Sequence, residues 1–366
     1  VHVNCGTLNA DGATFANNSN STNWGGAIGI WGGTVNISNS LFTGNSSKNS
    51  GGAIINYMAD GSSHGGTTDK TVGELTLTNC VFTKNTTQEH GGAIASWSNG
   101  KTTITGCVFG DENDAAMGNS VTKNGGAIHV QEGHKMIITD CGFFHNSTPT
   151  NANTFGGALY AKSSVKVQVS GCTFKNNSSK YGGAVNVEDN AGGGMSIDQC
   201  QFIDNKTKVS GGEGGALRLA VATTVTNCTF TGNVATGNGG AILVLQDSAK
   251  GNNVVVQGTT FTGNSGAEGG AISVATNCSV ALQDVLCENN TTTKAFGSFT
   301  TWGYGDIRVA DNTAKGAVSI SGKIVATIWN NQAHAIEVAG ALTQGSDVTI
   351  DWRLGKLSVN KVGIKF

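Results

Sequence analysis

Residues 172–187 read Cys-Thr-Phe-Lys-Asn-Asn-Ser-Ser-Lys-Tyr-Gly-Gly-Ala-Val-Asn-Val, and two motifs in this stretch decide the fold. The first is a small residue, any residue, Phe, two residues, then Asn. The second is Gly-Gly-Ala followed by apolar residues at alternate positions, the period of a strand. Gly-Gly-Ala recurs nine times, starting at Gly25, Gly51, Gly91, Gly125, Gly156, Gly182, Gly214, Gly239 and Gly269. The gaps are 26, 40, 34, 31, 26, 32, 25 and 30 residues. A base period near 26 with insertions is the signature of a solenoid.

The Phe motif lies between successive Gly-Gly-Ala units. It places Phe42 with Asn45, Phe82 with Asn85, Phe143 with Asn146, Phe174 with Asn177, Phe202 with Asn205, Phe230 with Asn233 and Phe261 with Asn264. Phe109 reaches Asn113 with one extra residue; Phe15 with Asn18 is a weaker first copy, and Cys287 with Asn290 a weaker last one. Apolar residues five and three positions before the small slot, such as Val167 and Val169 or Met195 and Ile197, carry the alternation through the unit. Short strands with no helical period predict a parallel β-solenoid of about 10 regular coils, in which equivalent side chains stack about 4.8 Å apart. The Phe residues then form an interior ladder. The Asn residues form a second ladder at a turn, and the paired glycines make a sharp corner.

Composition agrees. The chain has 366 residues with 55 Gly and 1 Pro, where average usage gives roughly 26 and 18. Proline would delete a ladder donor. Collagen lacks its strict period here, and 38% hydrophobic residues exclude a disordered chain. A net charge of −2 gives no overall electrostatic footprint for nucleic acid or another polyanion, and no apolar run is long enough to span a membrane. The start, Val1-His2-Val3, is neither an initiator Met nor a signal peptide, so a fragment of a longer chain is expected. Residues 1–290 are read as the regular β-helix and 291–366 as its degenerate continuation in the same domain. Alternation persists there at Ile307-Arg308-Val309, Val318-Ser319-Ile320, Ile324 to Ile328, Ile336-Glu337-Val338 and Val348-Thr349-Ile350. Insertions are expected at Tyr57 to Glu74, Gly110 to Asn124 and Thr148 to Phe155.

The alternation of Gly-Gly-Ala-(Ile/Leu/Val) with Phe-x-x-Asn across residues 10–290 resembles the repeats of the chlamydial polymorphic membrane proteins. The resemblance implies a right-handed parallel β-helix, extracellular or at the cell surface, acting as an adhesin. The family's autotransporter barrel is not among these 366 residues, so a segment of a longer chain is expected.

Chemistry is sparse. Cys80, Cys107, Cys141, Cys172, Cys200 and Cys228 share one slot, filled elsewhere by Ser40, Thr259 and Val285. The slot therefore requires a small side chain rather than a thiol. Adjacent coils would bring these cysteines within disulfide range, but buried free thiols are the expected state. No Cys-x-x-Cys pair signals zinc. β-Helices also host polysaccharide lyases and glycosidases, which need paired carboxylates or an Arg or Lys base; Arg218, Arg308 and Arg353 are the only arginines. The position after the Gly-Gly-Ala apolar residue reads Gly29, Ile55, Ala95, His129, Tyr160, Asn186, Arg218, Leu243 and Ser273. His129, Tyr160 and Arg218 are the candidate ligand face, able to grip a sugar; the plainer reading is a variable solvated face. No cofactor is expected, calcium at Asp111-Glu112-Asn113-Asp114 being the one cation left open. Of thirteen Asn-x-Ser/Thr sites, six, including Asn45, Asn85, Asn146 and Asn205, fall on the Asn ladder and read as turn chemistry. Ser38, Thr78, Thr105, Thr139, Ser170, Asp198 and Thr226, with Thr76, Thr103 and Thr224, approach the Thr array of an ice-binding solenoid, interrupted at Asp198, Gln257 and Gln283. The leading reading is a non-enzymatic surface segment that forms a stalk and binds a protein or glycan ligand, with self-association along the solenoid as a further partner mode.

Overall fold

The computed structural model describes residues 1–58, 72–149, 153–162, 165–188, 194–245, 253–275, 278–283 and 285–293, together with the backbone of seven strands between 299 and 358. Each coil contributes one strand to each of three parallel sheets. The strand after Gly-Gly-Ala, such as Ile128–Gln131 or Val185–Glu188, enters a 12-stranded sheet. The next and longest strand, such as Gly73–Thr78 or Lys135–Thr139, enters a 13-stranded sheet. The Phe strand, such as Thr173–Lys175, enters a 10-stranded sheet. Two-residue strands after the Asn, such as Ser46–Ser47 and Thr86–Thr87, pair in the same sense. Beyond residue 293, Phe299–Thr301 and Ile328–Asn330 pair onto the first sheet, and Asp306–Ala310 and Ile336–Ala339 onto the second. Val318, Ile324 to Thr327 and Val348 to Ile350 lie outside the described residues, as does Arg353.

The sheets close around one apolar core because alternate residues of every strand point inward. Phe15, Phe42, Phe82, Phe109, Phe143, Phe174, Phe202, Phe230 and Phe261 form an uninterrupted stack with ring centroids 4.6–4.9 Å apart and planes within 11° of parallel. The coil spacing sets that distance. Cys287 takes the next place opposite Phe261.

The Asn ladder is fully buried from Asn45 to Asn264 and hydrogen-bonded from coil to coil. Asn177 donates from its backbone N and from Nδ2 to Asn205 Oδ1, both at 3.0 Å, and from Nδ2 to Phe143 O at 2.8 Å. Its own Oδ1 accepts the equivalent pair from Asn146. The pattern runs from Asn18 through Asn45, Asn85, Asn146, Asn177, Asn205, Asn233 and Asn264 to Asn290. In the coil of Phe109 the ladder member is Asn119, which bonds Asn85 and Asn146; Asn113 is exposed. The insertion places a 3-10 turn, Ala115–Met117, between Phe109 and the returning chain, displacing the Asn by six residues.

The Gly-Gly corner needs both glycines. Gly51 sits at φ +67°, the left-handed region. A Cβ on Gly52 would lie 2.0 Å from the Gly92 carbonyl of the next coil.

Truncating Phe174 to Ala removes a ring from the middle of the stack and should destabilise the protein by about 3–5 kcal/mol. Denaturant unfolding alongside the exposed control Thr231→Ala measures it. Equal midpoints for the two variants would contradict the interior register.

Candidate functional site

The cysteine slot is a hydrogen-bonding position. Cys80, Cys107, Cys141, Cys172, Cys200 and Cys228 are unpaired and buried. The sulfur of Cys172 accepts from Cys141 N at 3.4 Å and donates to Ser170 O at 3.2 Å. At the ladder ends, Thr259 Oγ1 accepts from Cys228 N at 3.3 Å and donates to Gln257 O at 2.9 Å. Ser40 Oγ accepts from Ala13 N and donates to Ser38 O. Thiol and hydroxyl thus play the same part. Outside this row, burial pushes the Cys287 thiol well up, leaving it protonated and inert.

His129, Tyr160 and Arg218 do share one column of the first sheet, in the register His129, Tyr160, Asn186, Arg218. The column is not a solvated face, and this corrects the expectation from alternation. His129 is 1% and Tyr160 2% exposed. The left-handed glycine at each corner folds the chain back, so the residue before Gly-Gly lies over the outward side of the strand that follows. Phe155 stacks on Tyr160 of its own coil at 5.8 Å, and His90 reaches across to His129 of the next coil with ring centroids 4.5 Å apart. These covering residues form bridges of their own from coil to coil, Ser50 to His90 to Asn124 and Phe155 to Tyr181 to Glu213.

Tyr160 and Arg218 are tied together through Glu188, whereas His129 Nε2 lies 2.9 Å from Gln131 Oε1, and His129 Nδ1 and Asn186 Nδ2 are buried without a hydrogen-bond partner among the described residues. Tyr160 OH donates to Glu188 Oε2 at 2.8 Å, and Arg218 donates to Glu188 Oε1 at 3.3 Å, Asn186 Oδ1 at 3.2 Å and Glu213 Oε2 at 3.5 Å. The guanidinium also lies over the rings of Phe155 and Tyr181. Arg218 is thus a staple between coils. A second aromatic group, Trp24, Tyr57 and Trp97, covers Trp31, Ile55 and Ala95 in the coils before His129.

A buried polar cluster escaped the sequence reading. Asn56 and Ser96 occupy the inward position of the first sheet, where other coils carry Val130, Ala161 or Val187. Asn56 Nδ2 donates to Thr102 Oγ1 at 3.1 Å, Ser96 Oγ lies 3.0 Å from that hydroxyl, and His134 Nε2 closes the group at 2.9 Å. Four polar residues from three successive coils match each other across a corner of the core. Only the co-occurrence of Asn56, Ser96 and Thr102 at normally apolar positions signals this in sequence.

Acidic residues of the insertion are used locally. Asp111 Oδ1 accepts from Asn113 N and Asp114 N, Asp114 caps the 3-10 turn, and Glu112 pairs with Lys175 at 2.9 Å. No group of three or more His, Cys, Asp or Glu is arranged to hold a metal among the described residues. Asn45, Asn85, Asn146 and Asn205 keep both side-chain atoms bonded in the ladder, which leaves no access for glycan attachment in the folded chain.

The outer face of the second sheet is open. Its strands present three in-register columns, read at consecutive coils as Glu74, Lys101, Lys135, Lys166; as Thr76, Thr103, Ile137, Gln168; and as Thr78, Thr105, Thr139, Ser170. The hydroxyl column continues through Asp198 and Thr226, where Thr226 Oγ1 donates to Asp198 Oδ1. Ile137, Gln168 and Ser196 separate Thr76 and Thr103 from Thr224, so the double Thr row of an ice-binding face is broken at its centre.

A model of the right-handed β-helix region matches residues 48–230 and 118–292, together 245 of 366 residues, and the chain belongs to that family. Its hand is therefore right-handed, as parallel crossovers require. A model of the Chlamydia polymorphic membrane protein repeat matches residues 39–56, a window holding Phe42, Asn45 and Gly51-Gly52-Ala53. The repeats are of that type, and they associate the chain with surface proteins. Neither a curated protein nor a solved structure matches the chain.

Two predictions follow the site geometry. Cys172→Ser should keep both hydrogen bonds and change stability by less than about 1 kcal/mol, whereas Cys172→Val strands the Cys141 N–H at a cost of about 1–3 kcal/mol. Unfolding midpoints rank them, and the reverse order would show that the slot selects for volume alone.

Burial holds His90 and His134 down to about 4 from an ordinary 6.5. Burial, then the nearby His90, also lowers His129 well below its ordinary value. Their folded forms bind protons more weakly than the unfolded chain does. Their contribution is thus complete above about pH 6.5 and is lost as pH falls toward 4, at about 3 kcal/mol for each of His90 and His134. Denaturant midpoints measured from pH 8 to pH 4 should fall across that window, and less steeply in His134→Gln. A flat profile would contradict the burial of these rings.

Proposed function

We propose that this chain is a non-enzymatic, extracellular adhesin-like segment, a rigid rod that displays its outer sheet faces to a protein or glycan ligand. The observation carrying this reading is the disposition of polar groups. His129 and Tyr160 are buried beneath the covering segment and Arg218 is tied to Glu188, Asn186 and Glu213, while the open second sheet offers repeated columns of Lys, Thr and Ser. Such a face suits extended contact over several coils. The repeat type supports a surface location, and no described helix is long and apolar enough to cross a membrane.

The competing reading is a polysaccharide lyase or glycosidase on the same fold. Incubation with a panel of neutral and acidic polysaccharides and with cultured cells tests both. Saturable binding with unchanged polymer is expected; new reducing ends or unsaturated products would replace the adhesin with an enzyme.

A further inference from the structure

Net charge averages over the chain, but register concentrates it. Lys101, Lys135 and Lys166 occupy the same outward position of three consecutive strands, Lys101 facing Lys135 and Lys135 facing Lys166. All three are exposed, whereas the alternate residues Thr102, Met136 and Val167 are buried. Parallel pairing holds their backbones about 4.8 Å apart, so the column spans about 9.6 Å. Among the described residues none of the three ammonium groups has an ion-pair or hydrogen-bond partner. The column is bounded by Glu74 on one side and Gly194 on the other. Like charges directly opposite one another in a sheet are unfavourable, and nothing in the fold needs a lysine here.

A shallow groove of about 680 Å³ over the same sheet begins at Lys135 and Lys166, next to Lys101, and runs on past the column over Ile137, Gln168, Ser196 and Thr224. Beyond the groove floor lies the hydroxyl column Thr105, Thr139, Ser170. Across each of these three strands a ligand therefore meets cation, floor and hydroxyl in that order.

We propose that this three-coil patch binds a linear acidic polysaccharide running parallel to the axis. Its carboxylate or sulfate groups face the lysines, its rings lie over Ile137 and Gln168, and its hydroxyls meet the Thr and Ser row. The lysines repeat about every 4.8 Å along the axis, so a chain running parallel to that axis passes all three. Single-stranded nucleic acid fits less well, because sequence-tolerant binding of bases uses aromatic platforms and none of the three columns carries an aromatic residue across these coils. The proposal deepens the adhesin reading and rests on it.

The test uses immobilised 366-residue chain with polygalacturonate as the carboxylate probe, heparin as the sulfate probe, dextran as the neutral probe and oligo(dT) as the nucleic-acid probe. At least one acidic polysaccharide should bind, and should weaken as NaCl rises from about 50 to about 200 mM. The exposed triple variant Lys101→Gln, Lys135→Gln, Lys166→Gln should lose about tenfold or more of that affinity, while the charge-matched Lys180→Gln, Lys206→Gln, Lys208→Gln stays within about twofold. Equal losses in the two variants would reduce the effect to net charge and overturn the site. Equal or tighter binding of oligo(dT) would overturn the polysaccharide, and so would binding of dextran at the same affinity. If neither acidic polymer binds while the chain still adheres to cells, this inference falls and the adhesin reading stands.

Discussion

Everything in this molecule depends on the coils stacking in register, and the buried asparagine ladder is the interaction that locks it. Backbone pairing alone tolerates a slip of one residue, which would turn every apolar side chain outward. The asparagine forbids that slip. Its amide bonds the phenylalanine carbonyl of the preceding coil and the oxygen of the next asparagine together, as in Asn177, and a shifted coil would leave these groups unpaired in a dry interior. The phenylalanine stack, the thiol row and the glycine corner are all keyed to that one position.

The fold was legible because the motifs repeat by identity as well as by period. Phe174 and Gly182 are assigned by the pattern of their own coil, and eight other coils repeat the same pair. Asn119 was not legible. The insertion from Gly110 sets the nearest asparagine, Asn113, at almost the right spacing, and only the three-dimensional path shows that the chain loops out and returns six residues later. Spacing reports where a turn residue is expected, and an insertion within the turn defeats it.

The candidate site was legible only in part, for a different reason. Alternation says that His129 and Tyr160 point away from the main core; it does not say whether other chain lies there. That depends on the direction in which the glycine corner sends the preceding segment, and hence on His90 and Phe155, residues with no repeating identity. The polar cluster of Asn56, Ser96, Thr102 and His134 was hidden likewise, since each is unremarkable alone and meaningful only beside its neighbours from adjacent coils. The lysine column had the opposite fate. Its residues were visible, but a net charge of −2 concealed their alignment.

The orientation of the backbone hydrogen bonds has a mechanical consequence. In most domains tension on the chain is met by shearing or peeling strands. Here the bonds between coils point along the solenoid axis, so a pull along that axis loads all the bonds of one coil interface at once, together with the amide and ring contacts between them. Such a rod is stiff in extension and yields only when an entire interface gives way. A sideways pull at a loop, by contrast, can unthread a single coil from its end.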